Sequence, residues 1–380
     1  MRAFVFSDPA LQRHAGQFVW LSINTEKASN AATLAKYPVQ VWPSFYVIDP
    51  KTETIALRWA GGATAPQLEK ILDDGSRSVH GSKGSLAERL SRADRLFGEG
   101  KNGEAAKEYQ ALLKETPATW PARRRVTESL LFALQVTKQF EPCAVTARDA
   151  FSSVSETSSA ANVAGIGLDC ALRMPAGAPS RPGLVSALAA DARQVLAKRR
   201  PDIAADDISS LYETLAQERE EAKDEAGRRQ VLSSWASFLE GEAARGATPE
   251  ARSVFDPHRL SAYIDLGEPE RAIPMLEQSE RDFPEDYNPP ARLAVAYRAM
   301  KRWDDGLAAS DRAMAKAYGP RKIGMFQVRA DLYAGKGDAA AARRTLEEGI
   351  TYAESLPAPQ QNARTIAALK KKLEGTKVER

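Results

Sequence analysis

The hydrophobic positions of this chain change period once. Up to about residue 77 they fall in short runs. Phe18 to Asn24 is nearly continuously apolar, the pattern of a strand covered on both faces. Ala31 to Tyr37 predicts a short helix, and Ser44 to Asp49 a second strand. After a turn at Asp49 to Glu53, Thr54 to Trp59 alternates, with Ile55, Leu57 and Trp59 on one face, as a half-covered strand should. Gly61-Gly62 ends that strand, and Ala65-Pro66 opens a helix with Leu68, Ile71 and Leu72 on its buried side. Asp73 to Ser85 is rich in Gly and Ser and has little to bury, which predicts a linker and places a boundary at residues 78–85. From residue 86 to 376 the period is helical, with Gly and Pro confined to punctuation.

Within the helical part, four windows repeat one spacing. Ala93, Leu96, Gly100, Ala105, Tyr109 and Pro117 form the first, and Leu260, Tyr263, Gly267, Ala272, Leu276 and Pro284 the second. Ala294, Tyr297, Lys301, Gly306 and Ser310 form the third, and Ala330, Tyr333, Gly337, Ala342 and Leu346 the fourth. Small residues at these offsets let two helices approach, large ones fill the groove between them, Gly frees the turn and Pro stops the second helix. This pattern resembles the tetratricopeptide family. The resemblance is clear at residues 86–117 and 257–357. Residues 122–255 carry it in degenerate form: Leu131, Leu134, Cys143 and Ala147 fit core offsets, and three later amphipathic stretches lack the full pattern. Met174 to Gly183, with three prolines, reads as a loop. The predicted repeat-core residues are Ala93, Tyr109, Tyr263, Ala272, Ala294, Tyr297, Ala330, Tyr333 and Ala342. Each pair leaves an apolar face that a neighbouring pair must cover, so the expected fold is mainly α, a tetratricopeptide-type solenoid.

Residues 1–77 are similar to the later part of a thioredoxin domain. The stretches that carry this are Phe18 to Asn24, Ser29 to Val39, Trp42 to Ile48 and Gly61 to Leu72. The resemblance implies a small, incomplete α/β domain preceding the repeats, with Pro43 as its cis-proline. It also implies that Met1 to Phe6 ends a helix. The family's Cys-x-x-Cys and central strand have no counterpart here, so the domain as written is expected to be redox-inactive. The flanking strands should then either close into a three-stranded sheet or stay apart across a slot. Either Met1 is an internal methionine lying just after a Cys-x-x-Cys, which is the favoured reading, or the domain is a degenerate remnant; the chain as written would be cytoplasmic, whereas an upstream export signal would make it periplasmic or secreted.

Composition narrows the chemistry. Hydrophobic residues at 43% and charged ones at 27% exclude a disordered chain, and a net charge of +3 with interspersed signs argues against nucleic acid. Arg123 to Arg125 and Lys198 to Arg200 read as solvated helix faces. Cys143 and Cys170 match no zinc or redox spacing and read as buried packing residues rather than a redox pair, and His14, His80 and His258 have no neighbours at metal-ligand spacing. No catalytic residue, cofactor or metal site is predicted, and no membrane span. Tyr297, Arg298, Trp303, Tyr318, Arg321 and Lys322 are the nearest thing to a binding patch. The leading expectation is an interaction scaffold that holds a peptide or protein in the repeat groove. The alternative is a thiol-disulfide oxidoreductase whose Cys-x-x-Cys lies upstream, with the repeats selecting substrate.

Overall fold

The structure, a computed structural model, describes residues 5–39, 41–80 and 85–376. The chain forms two compact units: residues 1–19 with 37–231, and residues 20–36 with 232–380. The first helix, α1 (Ala31–Lys36), belongs to the second unit.

Unit one begins with an antiparallel hairpin of β1 (Ser44–Ile48) and β2 (Ile55–Ala60), with Phe45 opposite Trp59 and Val47 opposite Leu57. It is the one sheet among the described residues. Leu57 and Trp59 pack with Leu68, Ile71 and Leu72 of α2 (Ala65–His80). The other face of β2 lies on α3 (Leu86–Gly98), so Ala56 and Arg58 are buried as well and the strand is covered on both sides. Gly98 permits this approach, since an added Cβ would run into the Ile55 side chain.

Helical pairs follow: α3 with α4 (Asn102–Glu115), α5 (Arg123–Val136) with α6 (Phe140–Val154), and α7 (Ala160–Leu172) with α8 (Arg181–Ala197), then α9 (Ala205–Glu221). Unit two takes up the second half of α10 (Glu225–Arg245) and α11 (Pro249–Ser253). It continues with the pairs α12 (Asp256–Leu266) and α13 (Ala272–Asp282), α14 (Asn288–Ala299) and α15 (Trp303–Lys316), and α16 (Gly319–Lys336) and α17 (Ala339–Ser355), and ends in α18 (Ala363–Gly375).

The helix ends share one device. At Gly100, Lys138, Lys223, Gly267, Lys301 and Gly337 the backbone turns left-handed, with φ of 79°, 58°, 57°, 77°, 58° and 90°. In each case the following N–H donates to the carbonyl five residues back, as Lys101 does to Leu96 and Arg302 to Tyr297. This closes orphan carbonyls at the helix terminus. Lys301 keeps the turn that the third window's missing glycine had put in question.

Several expectations need correction. Phe18 to Asn24 is not a strand: it runs without regular structure, with Val19 89% and Leu21 77% exposed. With no central strand to pair beside, the run has no ladder to join. The sheet is therefore neither the three-stranded nor the slotted form. Residues 1–77 do not make one incomplete α/β domain, because residues 20–36 go with unit two. Of the expected helix at Met1 to Phe6, residues 1–4 lie outside the described residues, and Val5 and Phe6 form a turn. The linker is displaced too. α2 runs on to His80 because Gly75 lets it close on Val47, whose Cγ2 would lie 2.5 Å from an added Cβ, and because Asp74 pairs with Arg77. Ser85 caps α3 through its hydroxyl, and residues 81–84 lie outside the described residues.

Two side-chain readings also change. Arg125 is not a solvated residue: it is 6% exposed and its Nη1 donates to Asp94 at 2.6 Å, while Arg123 donates to the Leu113 and Thr116 carbonyls at the end of α4. Cys143 and Cys170 are joined in a disulfide between α6 and α7, both sulfurs fully buried. They lie 27 residues apart on facing helices, a meeting that helix packing creates and sequence spacing does not announce.

Candidate functional site

The predicted core residues divide by depth. Ala93, Tyr109, Ala272 and Ala294 are fully buried, and Tyr263, Ala330 and Ala342 nearly so. Tyr297 and Tyr333 are half-buried, and each lies under a guanidinium, Arg302 at 4.7 Å and Arg329 at 5.3 Å from the ring centre. Pro43 follows a cis peptide bond beside the exposed Trp42. These residues hold the pairs together and do not converge on a reactive centre. Among the described residues no cluster of His, Cys, Asp and Glu is arranged to hold a metal ion, and no helix is long and apolar enough to cross a membrane.

The candidate patch separates in the same way. Arg298 pairs with Asp331 at 2.7 Å, Trp303 packs against Gly335, and Lys322 lies over the Tyr352 ring. Tyr318 and Arg321, by contrast, stand at the start of α16, and Arg321 lies on a groove shared with α14. That groove is lined by Tyr287, Arg292, Val295, Arg321, Met325 and Val328. α14 and α16 are the first helices of successive pairs, and their contact along this face sets the groove.

Part of the groove's rim is occupied by the chain itself. Arg321 Nε lies 2.8 Å from one oxygen of the Glu26 carboxylate, and the Tyr287 hydroxyl donates to the other at 2.7 Å. Gln360 Nε2 donates to the carbonyls of both Thr25, at 2.9 Å, and Lys27, at 3.0 Å. Asn24 Nδ2 donates to the Tyr318 hydroxyl at 2.9 Å. Gly319, at φ 61°, is the residue that lets the segment lie so close, since an added Cβ would run into the Glu26 carbonyl. The turn is prepared within the segment: Glu26 N–H donates to Asn24 Oδ1, and Asn30 Nδ2 to the Asn24 carbonyl, each at 2.8 Å.

Electrostatics mark the groove as a place for a carboxylate. Burial, and then the bond to Glu26, push the Tyr287 hydroxyl above its ordinary pKa, so it remains a donor. Burial pulls the Arg292 guanidinium below its usual value, Asp256 and Asp286 pull it back up, and the nearby positive charge of Arg321 adds to the lowering. Arg292 makes no ion pair among the described residues, whereas Arg321 has Glu26. Glu26, Tyr287, Arg292 and Gln360 were not singled out from the sequence. Tyr287 and Glu26 are 261 residues apart, and no local pattern joins them.

No family model and no curated protein matches the chain. Solved structures that are similar include a tetratricopeptide repeat protein from Parabacteroides merdae, at 11% identity and a TM-score of 0.47, over 77% of this chain and 98% of that one. The TPR2AB domain of yeast Sti1 in its complex with pHSP90 is 14% identical with a TM-score of 0.29, over 76% and 98%. Yeast Tom70 is 12% identical with a TM-score of 0.19, over 81% and 94%. At these scores the likenesses add nothing to the helix-pair geometry described above.

Proposed function

We propose that this chain is a protein-interaction scaffold, and that the groove of α14 and α16 binds a segment of a protein partner carrying carboxylates. The observation that supports this most directly is the way the groove's rim holds residues 24–27. The Gln360 side chain, in the turn before α18, donates to two main-chain carbonyls, and a guanidinium and a phenol hydroxyl hold one carboxylate. Main-chain bonds give affinity, and one charge-assisted contact gives selectivity. Arg292 supplies a second cation, which makes no ion pair among the described residues. We further read the β1–β2 hairpin and α2 as the later half of a thioredoxin-like fold that has become a cap, because β2 spends its second face covering α3.

A selection of random displayed peptides against the full chain tests the reading. The enriched peptides should be acidic and should protect the amides of α14 and α16 from hydrogen exchange. Arg292→Glu should abolish the binding. Absence of enrichment, or protection confined to other helices, overturns the proposal.

A further inference from the structure

Residues 20–36 fit neither of the patterns around them. They are not a repeat, they contain no strand, and they belong to the second unit although the residues on both sides belong to the first. What holds them is a set of specific polar contacts around four residues, Asn24-Thr25-Glu26-Lys27. Glu26 is the centre. Its side chain is 16% exposed and both carboxylate oxygens are satisfied, by Arg321 and by Tyr287. On either side of it the carbonyls of Thr25 and Lys27 converge on one nitrogen, that of Gln360, a side chain only 5% exposed. Asn24 is tied to Tyr318, and Leu34 of α1 is buried, with α1 lying against the turn that contains Gln360. Gly319 has the one backbone that admits the Glu26 carbonyl.

Such contacts read a sequence. They ask for a chain turned at Thr25-Glu26, a carboxylate of glutamate length, a carbonyl on either side of it, and a side-chain amide two residues before it. A covalently attached segment that meets this description acts as a ligand present at an effective concentration of about millimolar or above. A site filled in this way presents a reduced affinity to anything else, by the fraction of time the attached segment is away. Charged contacts of the kind that Arg321 and Tyr287 make are the ones whose loss most weakens the attached copy.

We infer that residues 24–27 are an in-built ligand: they fill, in cis, a glutamate-reading site on α14, α16 and the Gln360 turn, and the partner of this face is a protein segment bearing the same pattern, a turn with an Asn-x-Glu-like sequence. This rests on the scaffold reading and makes it specific. The arrangement regulates as well as recognises, since the partner must displace the resident copy. The run Trp20 to Ile23, which precedes the ligand and is exposed at 48% for Trp20, 77% for Leu21 and 41% for Ile23, is released together with it.

The test uses the full chain and a fluorescent synthetic peptide of residues 20–36, read by anisotropy. Glu26→Gln and, independently, Asn24→Ala weaken the attached copy and leave the site intact, so each should bind the peptide about tenfold more tightly than the unsubstituted chain, the factor set by losing one charge-assisted contact. A peptide with glutamine at the Glu26 position should bind the opened chains about tenfold more weakly than the parent peptide. Adding Arg321→Gln or Gly319→Ala to Glu26→Gln should abolish the gain. The inference is overturned if neither opening variant binds the peptide more tightly than the unsubstituted chain, or if the glutamine peptide binds as well as the parent. Should displayed peptides protect α14 and α16 without competing with the 20–36 peptide, the scaffold reading survives and the in-built ligand does not. If the 20–36 peptide behaves as expected while no displayed peptide is enriched, the site reads only its own segment, and the scaffold reading falls together with the outside partner.

Discussion

The first helices of successive pairs carry opposite chemistry in the two units. In unit one, α5, α7 and α9 bring Glu128, Asn162 and Asp207 together, with the Asn162 amide 3.0 Å from Glu128 and 3.4 Å from Asp207. In unit two, α14 and α16 bring Tyr287 and Arg321 onto the Glu26 carboxylate, with Arg292 on the same groove. The backbone is the same: paired helices closed by left-handed turns. What differs is where the polar groups go. Unit one encloses the Asp94 carboxylate fully, with Tyr109 donating to it at 2.7 Å and Arg125 at 2.6 Å. Unit two leaves cations on a groove.

The sharpest way to break this comparison is at Asp94. Replacing it by alanine leaves Arg125 buried without its carboxylate, and should cost unit one about 3–5 kcal/mol. The buried acid of unit two, Asp256, accepts from the Ser279 hydroxyl at 2.6 Å, and Asp256→Asn should cost only about 1 kcal/mol. Denaturant melts with hydrogen exchange resolved by unit measure both. Equal costs would mean that the Asp94 network is no more than another buried hydrogen bond.

Next is the disulfide, which only unit one has. Closing a loop of 27 residues restricts the unfolded chain, and Cys143→Ala with Cys170→Ala should lose about 3–4 kcal/mol. The loss should appear as faster exchange in α5 to α8, with α14 to α17 unmoved. A loss spread evenly over all these helices would contradict the division into two units.

Overpacking then asks whether the small-residue positions do equal work. Ala105 in unit one and Ala272 and Ala342 in unit two have 0%, 0% and 1% exposure. Tryptophan at any of them should cost roughly 1–3 kcal/mol or more by forcing the paired helices apart. An unchanged melting temperature at one site would show that its pair is not closed there.

A smaller, pH-dependent effect follows from the acids of unit one. Burial raises the pKa of Glu128, and burial together with the charge of Glu128 raises that of Asp207. An acid whose folded pKa lies above its unfolded value stabilises the fold fully at pH below the unfolded value, and that stability is lost as pH rises through the folded value. Unit one should therefore weaken on going from acid toward neutral pH, and Glu128→Gln should flatten the slope. Asp256 shifts the same way through burial, so unit two should show a shallower version of the trend. A steeper loss in unit two, by unit-resolved exchange at several pH values, would reverse the assignment.

How much of this was legible in the sequence depends on range. The turns at Gly100, Gly267, Lys301 and Gly337 and the alanine positions are local, and spacing along the chain carries them. The strand reading of Phe18 to Asn24 failed because an apolar run says what a segment could bury and not what it meets. Arg123 to Arg125 looked solvated because Asp94, 31 residues earlier, is visible as Arg125's partner only after α3 and α5 are packed. The site was half visible: Tyr318 and Arg321 stood out by type, whereas Glu26 and Gln360 look like ordinary surface polar residues, and their partners lie hundreds of residues away.

The smallest effect is the most diagnostic of the repeat itself. Three turns use glycine and three use lysine at the same left-handed position, Lys138 and Lys223 in unit one and Lys301 in unit two. A side chain there crowds its own carbonyl, a cost of about 1 kcal/mol that glycine avoids. Glycine gives part of this back, because the unfolded chain gains freedom. Lys301→Gly should therefore stabilise unit two by about 0.5–1 kcal/mol, and Lys138→Gly should do the same for unit one, since both turns close with the same pair of backbone bonds. The reverse change, Gly337→Lys, should cost a similar amount. Melting temperatures of the three variants read the result directly. If Lys301→Gly destabilises, the lysine side chain contributes something to its turn that outweighs the backbone cost. The glycine and lysine turns would then not be equivalent, and the lost glycine of the third window would mark a real departure from the repeat.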